Sequence, residues 1–311
     1  MEEKNVIKNE NKMGVMPVGK LLLSMSVPMM FSMLVQALYN IVDSIFVARV
    51  SEDALTAVSM AFPVQAVLVS LGAGMGVGVN ALVSRALGEK DSKRAGLVAT
   101  HGVFLSFCSY LVFLIIGLTA ITPFYKGQTA DEQIIAYGID YLTVICCFSI
   151  GMFAQFIFER LLQSTGKTVL SMCTQIIGAV TNLILDPILI FGLLGAPRLG
   201  VRGAAIATVI GQIAAGIVAF AFNIKFNEEI RLFIKGFRPS WDIIKRIYAI
   251  GIPSIIMQSV GSVMVYGLNK ILMGFSSTAV AVFGVYFKLQ SFVFLPIFGL
   301  NNGMIPIIAY N

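Results

Sequence analysis

The stretch at 168–192, TVLSMCTQIIGAVTNLILDPILIFG, decides the fold. It carries a single charge, Asp186, and about 20 apolar residues are enough for a helix to cross the hydrocarbon layer. Working outward from it, the same reading finds seven more apolar spans. The eight run over 18–43, 57–84, 97–121, 133–158, 168–192, 202–224, 241–269 and 278–309. Several exceed one bilayer crossing, so tilt or extension into the headgroups is expected. Over the whole chain 57% of residues are hydrophobic and 12% are charged, against about a quarter charged in soluble proteins. The mean hydropathy is +0.87. The loops leave no room for a folded soluble domain. The fold class is an all-α polytopic membrane protein.

The first seventeen residues are polar and carry Lys4, Lys8 and Lys12. The apolar run that follows is too long for the core of a signal peptide, so it reads as a retained first helix. Cys108, Cys146, Cys147 and Cys173 all fall inside spans without metal-ligand spacing and read as small apolar residues. Sixteen lysines and arginines fall on the side of the N-terminus and five on the other, with Lys288 inside span 8. That bias puts the N-terminus on the cytoplasmic side of the membrane. The net charge of +6 is spread along the loops, which suits anionic lipid and not nucleic acid.

Shifting the chain against itself by 225 residues aligns Pro28 with Pro253, Ala54 with Ala279 and Gln65 with Gln290. It also aligns Gly74 and Gly78 with Gly299 and Gly303. Six spans separate the copies, so the repeat is parallel, about an axis along the membrane normal. The expected organisation is a tail over 1–17, a six-helix lobe over 18–224 and a linker over 225–240. The start of a second lobe follows over 241–311. Completing that lobe would take about 450 residues, so these 311 are expected to be a fragment.

Ionisable groups in lipid face cavities or one another. Asp186 lies about 28 Å past Lys167 along an ideal helix, in the outward half of its span. Pro187 cannot donate to the Leu183 carbonyl, and Asn182 shares the face of Asp186 one turn earlier. A carboxylate, an amide and a freed carbonyl form a candidate cation or proton site. Asp43, with Asn40 one turn before it and Tyr39 beside, arrives at a comparable depth from span 1. If the two carboxylates share a poorly solvated cavity, at least one would hold a proton. Asp140 and the pair Glu159–Arg160 are weaker candidates, and a local ion pair or snorkelling suffices for Glu159–Arg160. His101 reads as exposed or satisfied. Lys288 either enters a central cavity or bonds carbonyls between helices. Gln65, Gln290, Asn301 and Asn302 are further cavity candidates. Met25, Met29, Met33, Phe292, Phe294 and Phe298 form an adaptable apolar wall or ordinary packing. Gly72, Gly74, Gly76 and Gly78 permit bending and close contact, and lack the strand–turn–helix setting of a phosphate loop. No zinc, haem, flavin or nucleophile arrangement is present, so an enzyme is not indicated.

These residues carry a family resemblance. The strings are Asp43-Ser-Ile-Phe-Val47, Glu159 through Gly166, Asn182 through Pro187, Gly203 through Thr208, and Gly299 through Pro306 followed by Ala309-Tyr310-Asn311. They resemble the multidrug and toxic compound extrusion family, and the last resembles its bacterial branch with the staphylococcal exporters. The resemblance implies twelve helices in two six-helix lobes and a monomer. It implies export of organic cations or amphipathic compounds in exchange for sodium ions or protons, with no other cofactor. The family's cation-site aspartates would be Asp43 and Asp186, with Asn182 beside the second. Some branches add acidic residues in helices 7 and 8. Here helix 7 reads as having no carboxylate and helix 8 carries Lys288. The alternative within the same fold, a flippase of a lipid-linked sugar or related polar lipid, would favour a cavity lined by several basic residues.

Overall fold

A computed structural model describes residues 11–233, 237–273 and 277–311. The long helices are α1 (Val18–Ala48), α2 (Glu52–Gly88), α3 (Ser92–Thr119), α5 (Thr168–Phe191), α6 (Val201–Phe226), α7 (Trp241–Met273) and α8 (Ser277–Tyr310). The fourth span is two helices, α4a (Glu132–Cys147) and α4b (Ile150–Ser164), bent by 45°. Among the described residues seven helices are long and apolar enough to cross a membrane, and the bent pair supplies an eighth. The spans outrun the sequence reading at several ends: α1 continues past 43 to Ala48, and α2 reaches Gly88.

Local chemistry sets the boundaries. Ser51 caps α2 by accepting from the Ala54 N–H at 3.0 Å, and Glu52 and Asp53 follow in the first turn, where the helix dipole favours them. Asp91 caps α3, and Asp131 caps α4a. Gly192, at φ +75°, ends α5 in the left-handed conformation that glycine adopts without penalty. At the break in α4 the Ser149 hydroxyl donates to the Cys146 carbonyl at 2.9 Å, a local bond that competes with the helical ladder. Gly151, just beyond, lets α4b approach α6 closely: a Cβ there would lie 2.9 Å from the Ile213 backbone nitrogen.

The 225-residue repeat reappears as reciprocal packing between the lobes. A Cβ on Gly74 of α2 would meet Ile255 and Gly251 of α7, and one on Gly78 would meet Ile247. A Cβ on Gly299 of α8 would meet Met30 of α1, and one on Gly303 would meet Ser26. Ser26 and Met30 stand 225 positions before Gly251 and Ile255, so the two seams are copies of one another. Both lie in the halves of α1, α2, α7 and α8 nearest the N-terminal segment. That segment, a short helix at Lys12–Val15, closes the same end. Met13 is buried with Leu21, Met25 and Ile307, and the Asn311 amide donates to the Met13 carbonyl at 3.2 Å. Burial also pushes the Lys12 ammonium below the usual lysine range. Farther along α7, a Cβ on Gly261 or Gly267 would meet nothing within 4 Å among the described residues.

The linker is bound to α3. His101 is buried; its Nδ1 donates to the Leu97 carbonyl at 2.7 Å, and its Nε2 accepts from the Ser240 N–H at 2.8 Å. The Thr100 hydroxyl accepts from the Phe233 N–H at 2.9 Å. His101 is thus a satisfied structural residue.

At the opposite end of the first lobe the Tyr125 hydroxyl donates to the Ala57 carbonyl at 2.8 Å, fully buried. Tyr125→Phe keeps the ring and removes this bond, while the Ala57 carbonyl keeps its place in the α2 ladder. A loss of about 1–2 kcal/mol is expected, read as a lower midpoint for thermal unfolding in detergent. An unchanged midpoint would mean that the bond contributes nothing to stability.

Candidate functional site

Five helices of the first lobe line a cavity of ≈ 80 Å³, with α2 contributing Val69. From α5 come Gln175, Gly178, Ala179 and Asn182, with Asp186 one turn beyond. The spacing is helical, so these residues stack on one face, and Gly178 and Ala179 leave the space open. From α1 come Gln36 and Tyr39, with Asp43 one turn beyond; from α4b come Met152, Gln155 and Phe156; from α6 come Thr208, Gly211 and Gln212. A polar lining of this kind inside an apolar bundle has no packing purpose.

At the end away from the N-terminal segment lie Asp43 and Asp186. Their carboxyl groups are close enough to interact, and two like charges at short range are relieved by a shared proton or a bound cation. Asp186 and Asn182 are buried, and the Asn182 amide donates to Asp186 Oδ1 at 3.2 Å and to Thr208 Oγ1 at 3.4 Å. Three oxygens are left buried without a donor: Asp43 Oδ1, Asp186 Oδ2 and Asn182 Oδ1. Unpaired buried acceptors are costly unless something positive meets them. A sodium ion fits this donor set, which is all oxygen. A proton shared by the carboxylates fits it as well. Among the described residues no group of three or more His, Cys, Asp or Glu side chains is arranged to hold a metal ion.

At the other end of the cavity lies Glu159. The sequence reading treats it as a residue at a helix end, for which an ion pair with Arg160 suffices. The structure corrects this. Glu159 is 2% exposed and accepts three hydrogen bonds from neutral donors: the amides of Gln155 and Gln175 and the hydroxyl of Thr174, each at 3.0 Å. Arg160 turns away, donating to Gln163 Oε1 at 3.0 Å and across the seam to Asn302 Oδ1 of α8 at 3.2 Å. Asn302 is therefore tied into the contact between the lobes.

The remaining candidates separate. Tyr39 lines the cavity, within electrostatic reach of Asp43, Asp186 and Glu159 alike. Gln65 donates to the Tyr141 hydroxyl at 3.0 Å, a partner the sequence reading missed. Asn40 is exposed although it stands one turn before Asp43, and among the described residues no hydrogen bond joins its side chain to either aspartate. Asn301 is exposed and Gln290 is half-buried. Asp140 is exposed. The side chains of Lys288 and Phe292 lie outside the described residues. The reading that helix 7 lacks a carboxylate is also corrected. Asp242 stands in the first turn of α7, exposed and paired with Arg246 at 3.0 Å. Gln175 carried a sequence signal that went unread, since Gln175, Asn182 and Asp186 recur at i, i+7 and i+11.

The MatE family profile matches residues 28–188. The multidrug export protein MepA of Staphylococcus aureus (strain MRSA252) is 30% identical over 296 residues, covering 95% of this chain and 65% of its own length. The protein of the same name from Staphylococcus haemolyticus (strain JCSC1435) is 31% identical over 295 residues, covering 94% and 64%. This chain therefore spans just under two thirds of those relatives. Among solved structures, an outward-facing multidrug resistance MATE family transporter of the MOP superfamily superposes with a TM-score of 0.87. It has 29% identity and is covered over 93% of this chain and 63% of its own. A MOP superfamily transporter from Pyrococcus furiosus, described with a binding pocket of reverse polarity, gives 0.85 at 28% identity over 93% and 63%.

Proposed function

Since this chain belongs to the MatE family, we propose that it carries the cation-coupling site of a secondary antiporter. It exports small organic cations or amphipathic compounds in exchange for sodium ions or protons, and it is not an enzyme. One observation carries the reading: three donor-free buried oxygens, on Asp43, Asp186 and Asn182, converge from α1 and α5 inside the lobe. Such a site gains a cation's charge only when the ion arrives, which is what a coupling site needs. The relatives named as multidrug exporters support the substrate class. The protein works as a monomer in the bacterial inner membrane, in contact with its lipids. Its N-terminus is cytoplasmic, supported by the lysine and arginine bias. On that orientation the seams at Gly74, Gly78, Gly299 and Gly303 close the cytoplasmic side, and the structure represents the outward-facing state. Export then requires those seams to part while the opposite ends meet.

The test is dye efflux from proteoliposomes containing the full chain, driven separately by sodium and pH gradients. Efflux that ignores both gradients overturns the proposal. A finer prediction concerns Asn182→Leu, which removes one of the three oxygens and the bond to Asp186. Hydrogen bonds to charged groups are worth roughly 1.5–3 kcal/mol. The cation concentration giving half-maximal efflux is expected to rise about tenfold or more, with the maximal rate less affected. An unchanged midpoint would remove Asn182 from the site.

A further inference from the structure

The cavity is lined by Asn182, which holds Asp186, and by Gln155 and Gln175, which hold Glu159, so it runs between two carboxylate sites that differ chemically. At Asp43, Asp186 and Asn182 buried oxygens lack donors. Glu159, by contrast, is wrapped by two amide NH2 groups and a hydroxyl. A metal ion there would find one carboxylate, one hydroxyl and two amides that present N–H groups, a poorer oxygen set than the three donor-free oxygens at Asp43, Asp186 and Asn182. A proton suits the same shell: rotating one glutamine amide by a half turn presents its carbonyl oxygen to a Glu159 O–H. The position along the chain matters too. Gln175, which holds Glu159, and Asp186 are eleven residues apart on α5, or about 16 Å of helix rise. That is too far for direct transfer. The ≈ 80 Å³ between them has room for several waters, and polar groups from Gln36, Tyr39 and Gln212 line it.

We propose that Glu159 is a second, proton-only station of this lobe, exchanging its proton with the Asp43–Asp186 pair along the cavity. In the forward step the Glu159 O–H bond breaks and the proton passes through water and past the Tyr39 hydroxyl. An O–H bond then forms on a carboxylate oxygen of Asp186 or Asp43. Charge and proton count are conserved, with nothing oxidised or reduced. The ionisable groups facing Glu159 are Tyr39 from α1 and Arg160 from its own helix, whose guanidinium points to Gln163 and Asn302. This inference rests on the coupling function proposed for Asp43 and Asp186.

The experiment uses the full chain and the variants Glu159→Gln and Asp186→Asn. In Glu159→Gln, efflux driven by a pH gradient is expected to fall at least tenfold while sodium binding at the outer aspartates stays within about threefold. A pH-driven efflux within twofold of the unmutated protein overturns the inference. If Asp186→Asn also retains full gradient-driven efflux, the coupling function itself fails, so the two failures are distinguishable. A readout independent of transport is the infrared absorption of buried carboxylic acid C=O groups. A titrating band is expected to persist when both Asp43 and Asp186 are changed to Asn, and to vanish when Glu159→Gln is added. Should Glu159→Gln not fold, the Asp43→Asn, Asp186→Asn protein decides alone: absence of a titrating buried acid band overturns the inference.

Discussion

Asp186→Asn is expected to abolish gradient-driven export while leaving a folded protein in the membrane. The substitution keeps the shape of the side chain and its place beside Asn182, and removes only a negative charge. At about 4 Å and an effective dielectric constant near 20, a unit charge is worth roughly 4 kcal/mol to a bound cation, about a thousandfold in affinity. Asp43 alone would then face the ion, and the shared proton would lose its second acceptor. Stability is expected to hold or rise, because a buried carboxylate short of partners becomes a neutral amide. The measurement pairs efflux under separate sodium and pH gradients with a thermal unfolding curve. Wild-type efflux in a well-folded variant would exclude Asp186 from coupling.

The second large effect is expected at the seam between the lobes. A Cβ on Gly78 would lie 2.2 Å from the Ile247 carbonyl oxygen, and that backbone atom has no rotamer by which to retreat. Gly78→Val must push α2 and α7 apart in the conformation with this end closed. Overpacking of this kind costs about 1–3 kcal/mol, and the cost disappears once the seam opens. The equilibrium is therefore expected to shift about 5- to 150-fold toward the state open on the N-terminal side. Single cysteines on α7 near Ile247 should become more reactive to a polar thiol reagent, and export should slow because the return to the closed state is penalised. Unchanged reactivity would show that α7 accommodates the side chain in place. The equivalent change on the other seam, Gly303→Val, meets Ser26 and should act in the same direction, since the two contacts are related by the repeat.

Much of this was legible in the linear chain. Apolar runs of about 20 residues located the spans because lipid leaves a backbone few ways to satisfy its polar groups. Asp43, Asn182 and Asp186 stood out for the same reason, as polar groups at positions where burial is costly. The break in α4 was not legible, because a serine bonding its own backbone gives no hydropathy signal. Asn40 shows the opposite failure. Its place one turn before Asp43 suggested a shared site, and what packs around α1 leaves its side chain exposed.

Glu159 marks the boundary between the two kinds of information. The sequence by itself determined that this chain is a bundle of membrane helices with an internal repeat and costly carboxylates, since those follow from the free energy of placing side chains in lipid. It also placed Glu159 beside an arginine, which made an ion pair the simplest reading. Only the tertiary structure decided that Arg160 reaches across to Asn302 while Glu159 turns inward to Gln155, Thr174 and Gln175. Adjacent residues on a helix point about 100° apart, and what each then meets depends on helices far away in the chain.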